Sequence, residues 1–171
     1  MSQQSSVARP PGNDQGGDVD GFTITEPSPG LFHFFQRQTL NAADGHVWAV
    51  VRNFQQFVKV LIPTATFEWL DGGNPGTVPS RYRLVVGDSK LEEEIDFRDD
   101  QARVLRYHMV VTGLGIRTYS AEIKVVPISE RQTAMVYTRD VTLQPGQTIE
   151  TLRGLAAQQM VALTEHFALG T

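Results

Sequence analysis

The feature that most constrains this chain is a long amphipathic pattern near its C-terminal end, from Gln147 to Leu169. This stretch contains no proline and follows Pro145-Gly146, with Thr148 as a candidate N-cap residue. Its apolar side chains recur at intervals of three and four, which is typical of a helix that buries one face. The predicted buried stripe consists of Leu152, Leu155, Ala156, Gln159, Met160, Leu163 and Phe167. Such a helix must lie on a large apolar surface supplied by the rest of the chain.

The segments before this helix have the alternating pattern and the turn residues of β-strands. Short breaks such as Gly87-Asp88 favour hairpins, and therefore an antiparallel sheet. After the first strand, Asp44 is predicted to cap a short helix, and a second short helix over residues 54–61 ends before Pro63. The seven predicted strands span residues 31–40, 66–70, 80–86, 91–97, 104–111, 118–126 and 133–143. The sequence thus predicts an α+β domain in which the final helix closes a curved sheet over an internal cavity.

Composition narrows the classes of function. With 171 residues, 40% hydrophobic and 20% charged, the chain suits one globular domain. A net charge of -4 and the lack of a Lys/Arg cluster argue against binding to nucleic acid. There is no cysteine for a disulfide or a thiolate metal site, and we expect a cytoplasmic protein. We also expect no stable membrane insertion, because the chain lacks both a signal-peptide pattern and the roughly 18 consecutive apolar residues of a transmembrane helix.

The N-terminal segment differs in composition from the rest. Residues 1–30 are rich in Ser, Gln, Gly, Pro and Asp and contain few apolar side chains. Such a segment buries too little surface to offset the entropy lost on ordering. We therefore predict a disordered tail over residues 1–30, with Phe22 to Thr25 as a candidate docking segment, followed by a ligand-binding domain over residues 31–171.

Several short motifs carry a resemblance to a known family. They are Val-Trp-Ala-Val-Val-Arg-Asn-Phe at 47–54, Gly76, Leu-Glu-Glu-Glu-Ile at 91–95, Asp99-Asp100, Arg-Val-Leu-Arg-Tyr at 103–107, and Tyr119. With these motifs and the order of the elements, residues 33–168 resemble the START-like superfamily (SRPBCC). This superfamily includes polyketide cyclases/dehydrases, birch-pollen-type allergens and abscisic-acid receptors.

The resemblance implies the helix-grip fold, in which a seven-stranded antiparallel sheet wraps around a long C-terminal helix. It also implies a cavity that takes a hydrophobic small molecule, with an acid at the position of Glu93. The gate motifs of the hormone receptors are absent, because the two corresponding hairpins read Val-Gly-Asp-Ser at 86–89 and Thr-Gly-Leu-Gly-Ile at 112–116. Their glycines permit hinge motion.

Strand alternation predicts which side chains face the cavity. By this rule Phe97 and Val111 also face inward, whereas on the last strand either Asp140 or a set that includes Tyr137 and Arg139 does so. The candidate ligand-binding residues are Tyr82, Leu84, Val86, Glu93, Tyr107, Met109, Arg117, Tyr119, Leu155, Gln159 and Leu163. Together they describe an apolar wall with a few hydroxyl groups and one acid, which is typical of a small-molecule pocket.

Glu93 is the most informative of these residues. It shares its strand face with apolar neighbours, where an unpaired carboxylate costs several kcal/mol. It therefore needs a cation such as Arg117 or Arg139, a wet cavity, or a proton. The sequence leaves a ligand or catalytic role and a structural ion pair equally open.

The chain shows no sign of a metal or cofactor. His33, His46, His108 and His166 are scattered, and alternation places His108 on the outward face. A Ser-His-Asp order, a phosphate-binding loop and a dinucleotide fingerprint are all absent.

Two main functions remain open. The first is a carrier or sensor that encloses a hydrophobic molecule such as a lipid or polyketide in a cavity of several hundred Å³, the usual size of a ligand site. The alternative is a cyclase/dehydratase in which Glu93 and Tyr107 are the candidate catalytic residues for proton transfer. A third hypothesis is an interaction protein whose own side chains fill the cavity. The oligomeric state stays open.

Overall fold

The computed structural model describes residues 19–168, which form an eight-stranded antiparallel sheet and three helices. The strands are β1 (Gly21–Ser28), β2 (Leu31–Leu40), β3 (Thr66–Leu70), β4 (Ser80–Val86), β5 (Ser89–Asp99), β6 (Val104–Val111), β7 (Ile116–Ser129) and β8 (Gln132–Leu143). The helices are α1 (Asp44–Arg52), α2 (Phe54–Leu61) and α3 (Glu150–Ala168). The strand order is β1-β2-β8-β7-β6-β5-β4-β3.

The predicted helix-grip architecture is confirmed, but the sheet has eight strands and not the predicted seven, because β1 adds an edge strand. Strands β3 to β8 follow one another as antiparallel neighbours, and β2 pairs with β8, so α1 and α2 carry the chain from one side of the sheet to the other edge. The long helix α3 packs against α2 and β2. Its buried residues are Leu152, Ala156, Gln159, Leu163 and Phe167, which belong to the predicted stripe.

Two predicted helix starts are wrong. In α3 the first helical backbone bond runs from the Arg153 N–H to the Ile149 carbonyl at 2.9 Å, so Ile149 rather than Thr148 holds the N-cap position. In α1 the N-cap residue is Ala43, while Asp44 is the first helical residue and forms an ion pair with Arg103. The predicted end of α3 at residue 169 lies outside the described residues.

The predicted disordered tail over residues 1–30 is wrong for Gly21–Ser28, which form an edge strand. Strand β1 pairs with β2, and the Asp20 carboxylate accepts hydrogen bonds from Arg37 and Thr39. Phe22 packs on Phe34 with 5.8 Å between the ring centroids. A few alternating apolar residues are enough to order this segment because β2 supplies a complete row of backbone partners. Residues 1–18 lie outside the described residues.

The buried apolar residues form two clusters. The larger one lies beneath α1 and α2 and contains Phe54, Phe57 and Tyr82. The smaller one joins Phe34, Ile116, Val141 and Leu152, where β1, β2 and β8 meet the first turns of α3. The partly buried residues that pack against both clusters are Met109, Leu114 and Tyr119. A cavity lies at this junction.

Candidate ligand-binding site

The candidate site is a cavity of about 70 Å³ between α3 and the sheet. Its lining residues are Phe54, Val58, Leu61, Ile62, Leu84, Val86, Leu91, Glu93, Tyr107, Met109, Leu114, Ile116, Tyr119, Tyr137, Leu152, Leu155 and Gln159. Most of this surface is apolar, and Glu93 is its one carboxylate. The predicted location is therefore occupied by a cavity, but the predicted volume of several hundred Å³ is wrong.

Aromatic side chains account for the small volume. The Phe54 ring lies 5.3 Å from the Tyr82 ring and 4.9 Å from the Tyr107 ring, and Phe57 lies 6.3 Å from Tyr137, all between centroids. These rings fill the space beneath α2, which an empty helix-grip cavity would otherwise occupy. The remaining space lies beneath the first half of α3.

Glu93 lies in the middle of β5 and only 6% of its surface is exposed. Its hydrogen-bond partner is the Tyr82 hydroxyl, which donates a short hydrogen bond from the directly opposite position on β4. Desolvation by burial raises the pKa of Glu93 to about 7, against the lowering effect of the Tyr82 hydrogen bond. The carboxyl group can therefore both release and take up a proton near neutral pH.

Three tyrosine hydroxyls meet on the neighbouring strands. The Tyr107 hydroxyl forms a short hydrogen bond with Tyr137 and a second one with Tyr119 at 3.2 Å. Burial, followed by the electrostatic effect of the neighbouring tyrosines and Glu93, raises the pKa of Tyr107 and of Tyr119 well above the usual value, although the Arg139 charge acts in the opposite direction on Tyr119. Tyr107 and Tyr119 therefore stay neutral, so each has one proton to donate and an oxygen that accepts.

A buried cation lies behind two of the lining residues, Tyr137 and Gln159. Arg139 on β8 is 3% exposed, and its guanidinium lies over the Tyr137 ring at 3.6 Å from the centroid. It donates to the Gln159 side-chain oxygen on α3 at 3.0 Å. The open register of the last strand is thereby settled, because Arg139 faces inward whereas Asp140 is exposed and pairs with His33 on the outer face.

Most of the predicted site residues are brought together. Those that line the cavity are Leu84, Val86, Glu93, Tyr107, Met109, Tyr119, Leu155 and Gln159. Tyr82 and Leu163 are fully buried behind this surface and do not line it. Tyr82 still reaches the site through its hydrogen bond to Glu93.

Arg117, Phe97 and Val111 are not on the inner face, because the strands are irregular at these points. Arg117 is the extra residue between Ile116 and Thr118, where the β7–β8 register shifts, and its side chain is exposed. Similar shifts in the β5–β6 pairing leave Phe97 and Val111 exposed at 37% and 46%. Arg117 therefore does not line the cavity and is not an ion-pair partner of Glu93.

Sequence reasoning missed the contribution of α2 to the site. The cavity is lined by Phe54, Val58 and Leu61 of this helix, for which the sequence predicted only a short helical segment. Their spacing of four and three residues was the available signal, because it marks one apolar helix face. Leu114 from the β6–β7 connection and Ile116, the first residue of β7, were missed as well.

The β6–β7 connection forms part of the cavity rim. Leu114 lines the cavity with a left-handed backbone, φ 58°, and Gly115 follows with φ 72°. A side chain at Gly115 would also collide with Gln147, since a Cβ there would lie 2.7 Å from the Gln147 side-chain oxygen. This loop thus places an apolar side chain over the cavity through a backbone that glycine accommodates best.

Residues 19–168 contain neither a cluster of metal ligands nor a helix suited to a bilayer. No group of three or more His, Cys, Asp or Glu side chains in this range is placed to hold a metal ion. No helix in the same range combines the length and hydrophobicity needed to cross a bilayer. His108 lies on the outer face, where it pairs with Asp96 at 2.7 Å.

Solved structures share this fold. A protein from Bacillus thuringiensis has a TM-score of 0.67 at 15% identity, over 80% of this chain and 98% of that chain. The Zhui aromatase/cyclase from Streptomyces sp. R1128 has a TM-score of 0.63 at 22% identity, over 77% of this chain and 88% of that chain. Norcoclaurine synthase from Thalictrum flavum has a TM-score of 0.58 at 17% identity, over 86% of this chain and 99% of that chain. At these identities the likeness shows the fold alone.

Sequence comparison identifies the family. A search of curated proteins finds no match. The family model described as polyketide cyclase/dehydrase and lipid transport matches residues 32–168, which is nearly all of the described domain. The chain therefore belongs to the polyketide cyclase/dehydrase and lipid transport family, within the START-like superfamily.

Proposed function

We propose that this protein binds a hydrophobic small molecule in the cavity between α3 and the sheet, as a carrier or sensor. The observation that carries the proposal is the lining of that cavity, where apolar side chains surround a small number of polar groups. The polar groups that the sequence predicted and that line the cavity are Glu93, Tyr107, Tyr119 and Gln159. Isolated polar groups of this kind fix the orientation of a bound molecule. The family description, which includes lipid transport, agrees with this function.

The size of the cavity adds a requirement. A volume of about 70 Å³ holds a few water molecules. A lipid or polyketide must therefore displace side chains when it enters. Leu114 and Leu155 are the best candidates, because both line the cavity and are only partly buried.

A neutral fluorescent probe tests whether the cavity accepts an apolar molecule. Titration with 1-aminoanthracene should give saturable binding to the wild-type protein. Leu155→Trp should weaken it at least tenfold, because the indole would occupy the space beneath α3. Val161→Trp is the matched control, since Val161 lies on the exposed side of the same helix with 57% exposure.

The opposite result would favour a different function. If the wild-type protein binds no probe and native mass spectrometry of freshly purified protein shows no copurified small molecule, the carrier proposal fails. The aromatic side chains beneath α2 would then fill the interior of the protein themselves, as the interaction-protein hypothesis requires.

A second candidate function is a cyclase/dehydratase. The specific observation in its favour is the acid–base character of Glu93, whose pKa is raised to about 7 in the cavity that the Tyr107 and Tyr119 hydroxyls also line. In this reaction class Glu93 removes a proton next to a carbonyl group and returns it to a leaving hydroxyl. While Glu93 removes that proton, Tyr107 donates a hydrogen bond to the carbonyl oxygen, where negative charge develops; the charge is lost again when the hydroxyl leaves as water.

Glu93→Gln separates the two candidates, because glutamine keeps the shape and an oxygen that accepts from Tyr82. In a cyclase/dehydratase it should lower turnover of a poly-β-carbonyl substrate by about 10² to 10⁴ and leave binding nearly unchanged. In a carrier it should weaken binding, with no turnover to lose. Glu94→Gln is the control, since Glu94 faces the other side of β5 and pairs with Arg81. If Glu93→Gln changes stability alone, Glu93 has no functional role.

A further inference from the structure

Arg139 differs from the other arginines of the described chain. Eight arginines in residues 19–168 lie within ion-pair distance of a carboxylate. Arg117 and Arg131 have no such partner but are exposed, so water solvates their charge. Arg139 is 3% exposed and has no carboxylate within that distance among the same residues. It is thus a buried cation whose charge no described group neutralises.

Neutral groups hold the Arg139 guanidinium in place. One terminal nitrogen, Nη2, donates to the side-chain oxygens of Gln159 at 3.0 Å and of Gln36 at 3.4 Å. Because arginine can only donate, both glutamines must turn their oxygens toward it. The Gln36 amide nitrogen then donates to Gln38, which donates to the Met160 carbonyl of α3 at 2.6 Å. This chain orients the guanidinium between sheet and helix and leaves its charge intact.

Unused donors remain at this point. The other terminal nitrogen, Nη1 of Arg139, is buried and has no hydrogen-bond partner in the part of the chain that the structure describes. A buried donor without a partner costs about 1–3 kcal/mol, and more when it is charged. The Gln159 amide nitrogen is also free to donate, because its oxygen is the atom that accepts from Arg139. Both donors therefore suit an acceptor that carries negative charge.

These donors lie beside the cavity. Gln159 accepts a hydrogen bond from Arg139, and the Tyr137 ring stacks on its guanidinium. Both of these residues line the cavity. Glu93 lines the same cavity but forms no ion pair with Arg139, so the protein does not supply the missing anion itself. A planar guanidinium with free N–H groups matches a carboxylate, which accepts through two oxygens.

We propose that the bound molecule is an amphipathic carboxylic acid whose carboxylate accepts hydrogen bonds from Arg139 Nη1 and from the Gln159 amide. Its apolar part lies against Leu84, Leu114 and Leu155 in the cavity. This inference rests on the proposed binding function, since it names the chemical class of the ligand for that same cavity.

Octanoic acid and octan-1-ol provide a direct test in the wild-type protein. The two compounds have the same number of carbon atoms, and the alcohol is the more apolar of the two, so apolar burial alone would favour it. At pH 6 the acid is ionised, whereas Glu93, with its pKa of about 7, is mostly neutral and does not repel it. Displacement of 1-aminoanthracene should show that octanoate binds at least tenfold more tightly than octanol.

Substitutions then assign the effect to Arg139. Arg139→Gln should weaken octanoate binding at least tenfold and change octanol binding less than about twofold. The new amide can still donate to Gln159, which limits the damage to the fold. Arg139→Lys, which keeps the charge, should retain preference for the acid. Arg117→Gln is the matched control, because it removes an exposed arginine charge outside the cavity.

The outcomes separate the two proposals. If octanol binds as tightly as octanoate or more tightly, the carboxylate proposal fails while the binding function stands. If octanoate is preferred but Arg139→Gln leaves that preference intact, the assignment to Arg139 fails. If the wild-type protein binds neither compound nor the probe, the proposed function itself fails. Because the comparison of the two compounds uses wild-type protein, it does not depend on any variant folding.

Discussion

Three consecutive glutamates on β5 have different kinds of partner on the two faces of the sheet. Glu92 and Glu94 face outward, where they pair with Arg83 at 2.7 Å and with Arg81 at 3.6 Å. Glu93 faces inward, where its hydrogen-bond partner is the neutral Tyr82. The same residue type is thus neutralised by a cation in water and left without one in the core.

The contrast extends to Arg139 on the same inner side. Outer-face cations have carboxylate partners in a solvent that would solvate them anyway, so each pair adds little stability. Within residues 19–168, the buried acidic residue Glu93 and the buried basic residue Arg139 are each held by neutral groups and not by each other. An ion pair between Glu93 and Arg139 would neutralise both charges, and the core would then need no further partner for either group. Keeping them apart costs stability, and groups that impose such a cost cluster at functional sites.

Glu93→Gln should produce the largest effect on this contrast. The pKa of Glu93 is raised from 4.5 to about 7 in the folded protein, so the folded state holds the proton more tightly than the unfolded state. The contribution of Glu93 to stability is therefore greatest at low pH, falls as pH rises between about 4.5 and 7, and is constant above. A pKa difference of this size corresponds to about 3 kcal/mol. We expect Glu93→Gln to be more stable than the wild type by up to about 3 kcal/mol at pH 8.

Urea unfolding at pH 4 and pH 8 measures this change. The two proteins should differ little at pH 4, where Glu93 is protonated in both the folded and the unfolded state. Glu94→Gln serves as the control and should shift stability by less than about 1 kcal/mol at either pH, as for other partly exposed ion pairs. A wild-type protein more stable than Glu93→Gln at pH 8 would mean that the buried carboxylate has a cationic partner, and the contrast between the faces would disappear.

Tyr82→Phe should have the next largest effect. The Tyr82 hydrogen bond lowers the pKa of Glu93 against the effect of burial, so its loss should raise that pKa further. At pH 8 the ionised carboxylate would lose its donor, and we expect a destabilisation of about 2 kcal/mol, typical of a hydrogen bond to a charged group. At pH 5, where the carboxyl is neutral, the loss should be smaller. Urea unfolding at both pH values measures it, with Tyr119→Phe as the control for removing a cavity hydroxyl. Equal losses at the two pH values would contradict the argument.

The sequence was sufficient to predict the elements from β2 to α3 and the inward position of Glu93. Regular alternation and helical spacing are local properties, so they can be read without knowing what lies opposite. Strand β1 was missed because its order depends on pairing with β2. The bulges that move Phe97, Val111 and Arg117 to the outside were missed for a related reason, since an extra residue in a strand is decided by the fit to its neighbour.

The chemistry of the site was harder to predict. The sequence left a cation, a wet cavity or a proton open for Glu93, and it gave no sign of Tyr82, which the β4–β5 register places directly opposite. The volume of the cavity depends on how Phe54 and the neighbouring rings pack, which no local pattern specifies. The isolated charge of Arg139 became evident only with the register of β8 and the position of Gln159 on α3.

The smallest expected effect concerns an outer-face pair, Arg106 on β6 and Glu122 on β7. These residues are cross-strand neighbours, and 2.7 Å separates Arg106 Nε from Glu122 Oε2. Their side chains are 53% and 39% exposed. Water and salt screen such a pair, and both side chains lose conformational freedom when they meet. A double-mutant cycle with Arg106→Gln and Glu122→Gln should give a coupling energy of about 0.5 kcal/mol, and 1 M NaCl should reduce it further. Cation–π contact between Arg106 and Phe97 does not enter the coupling energy, because the cycle cancels contacts made by one partner alone. A coupling energy above about 2 kcal/mol would show that outer-face ion pairs stabilise the sheet as strongly as buried groups do. The small stabilising free energy expected for charges on that face would then be wrong.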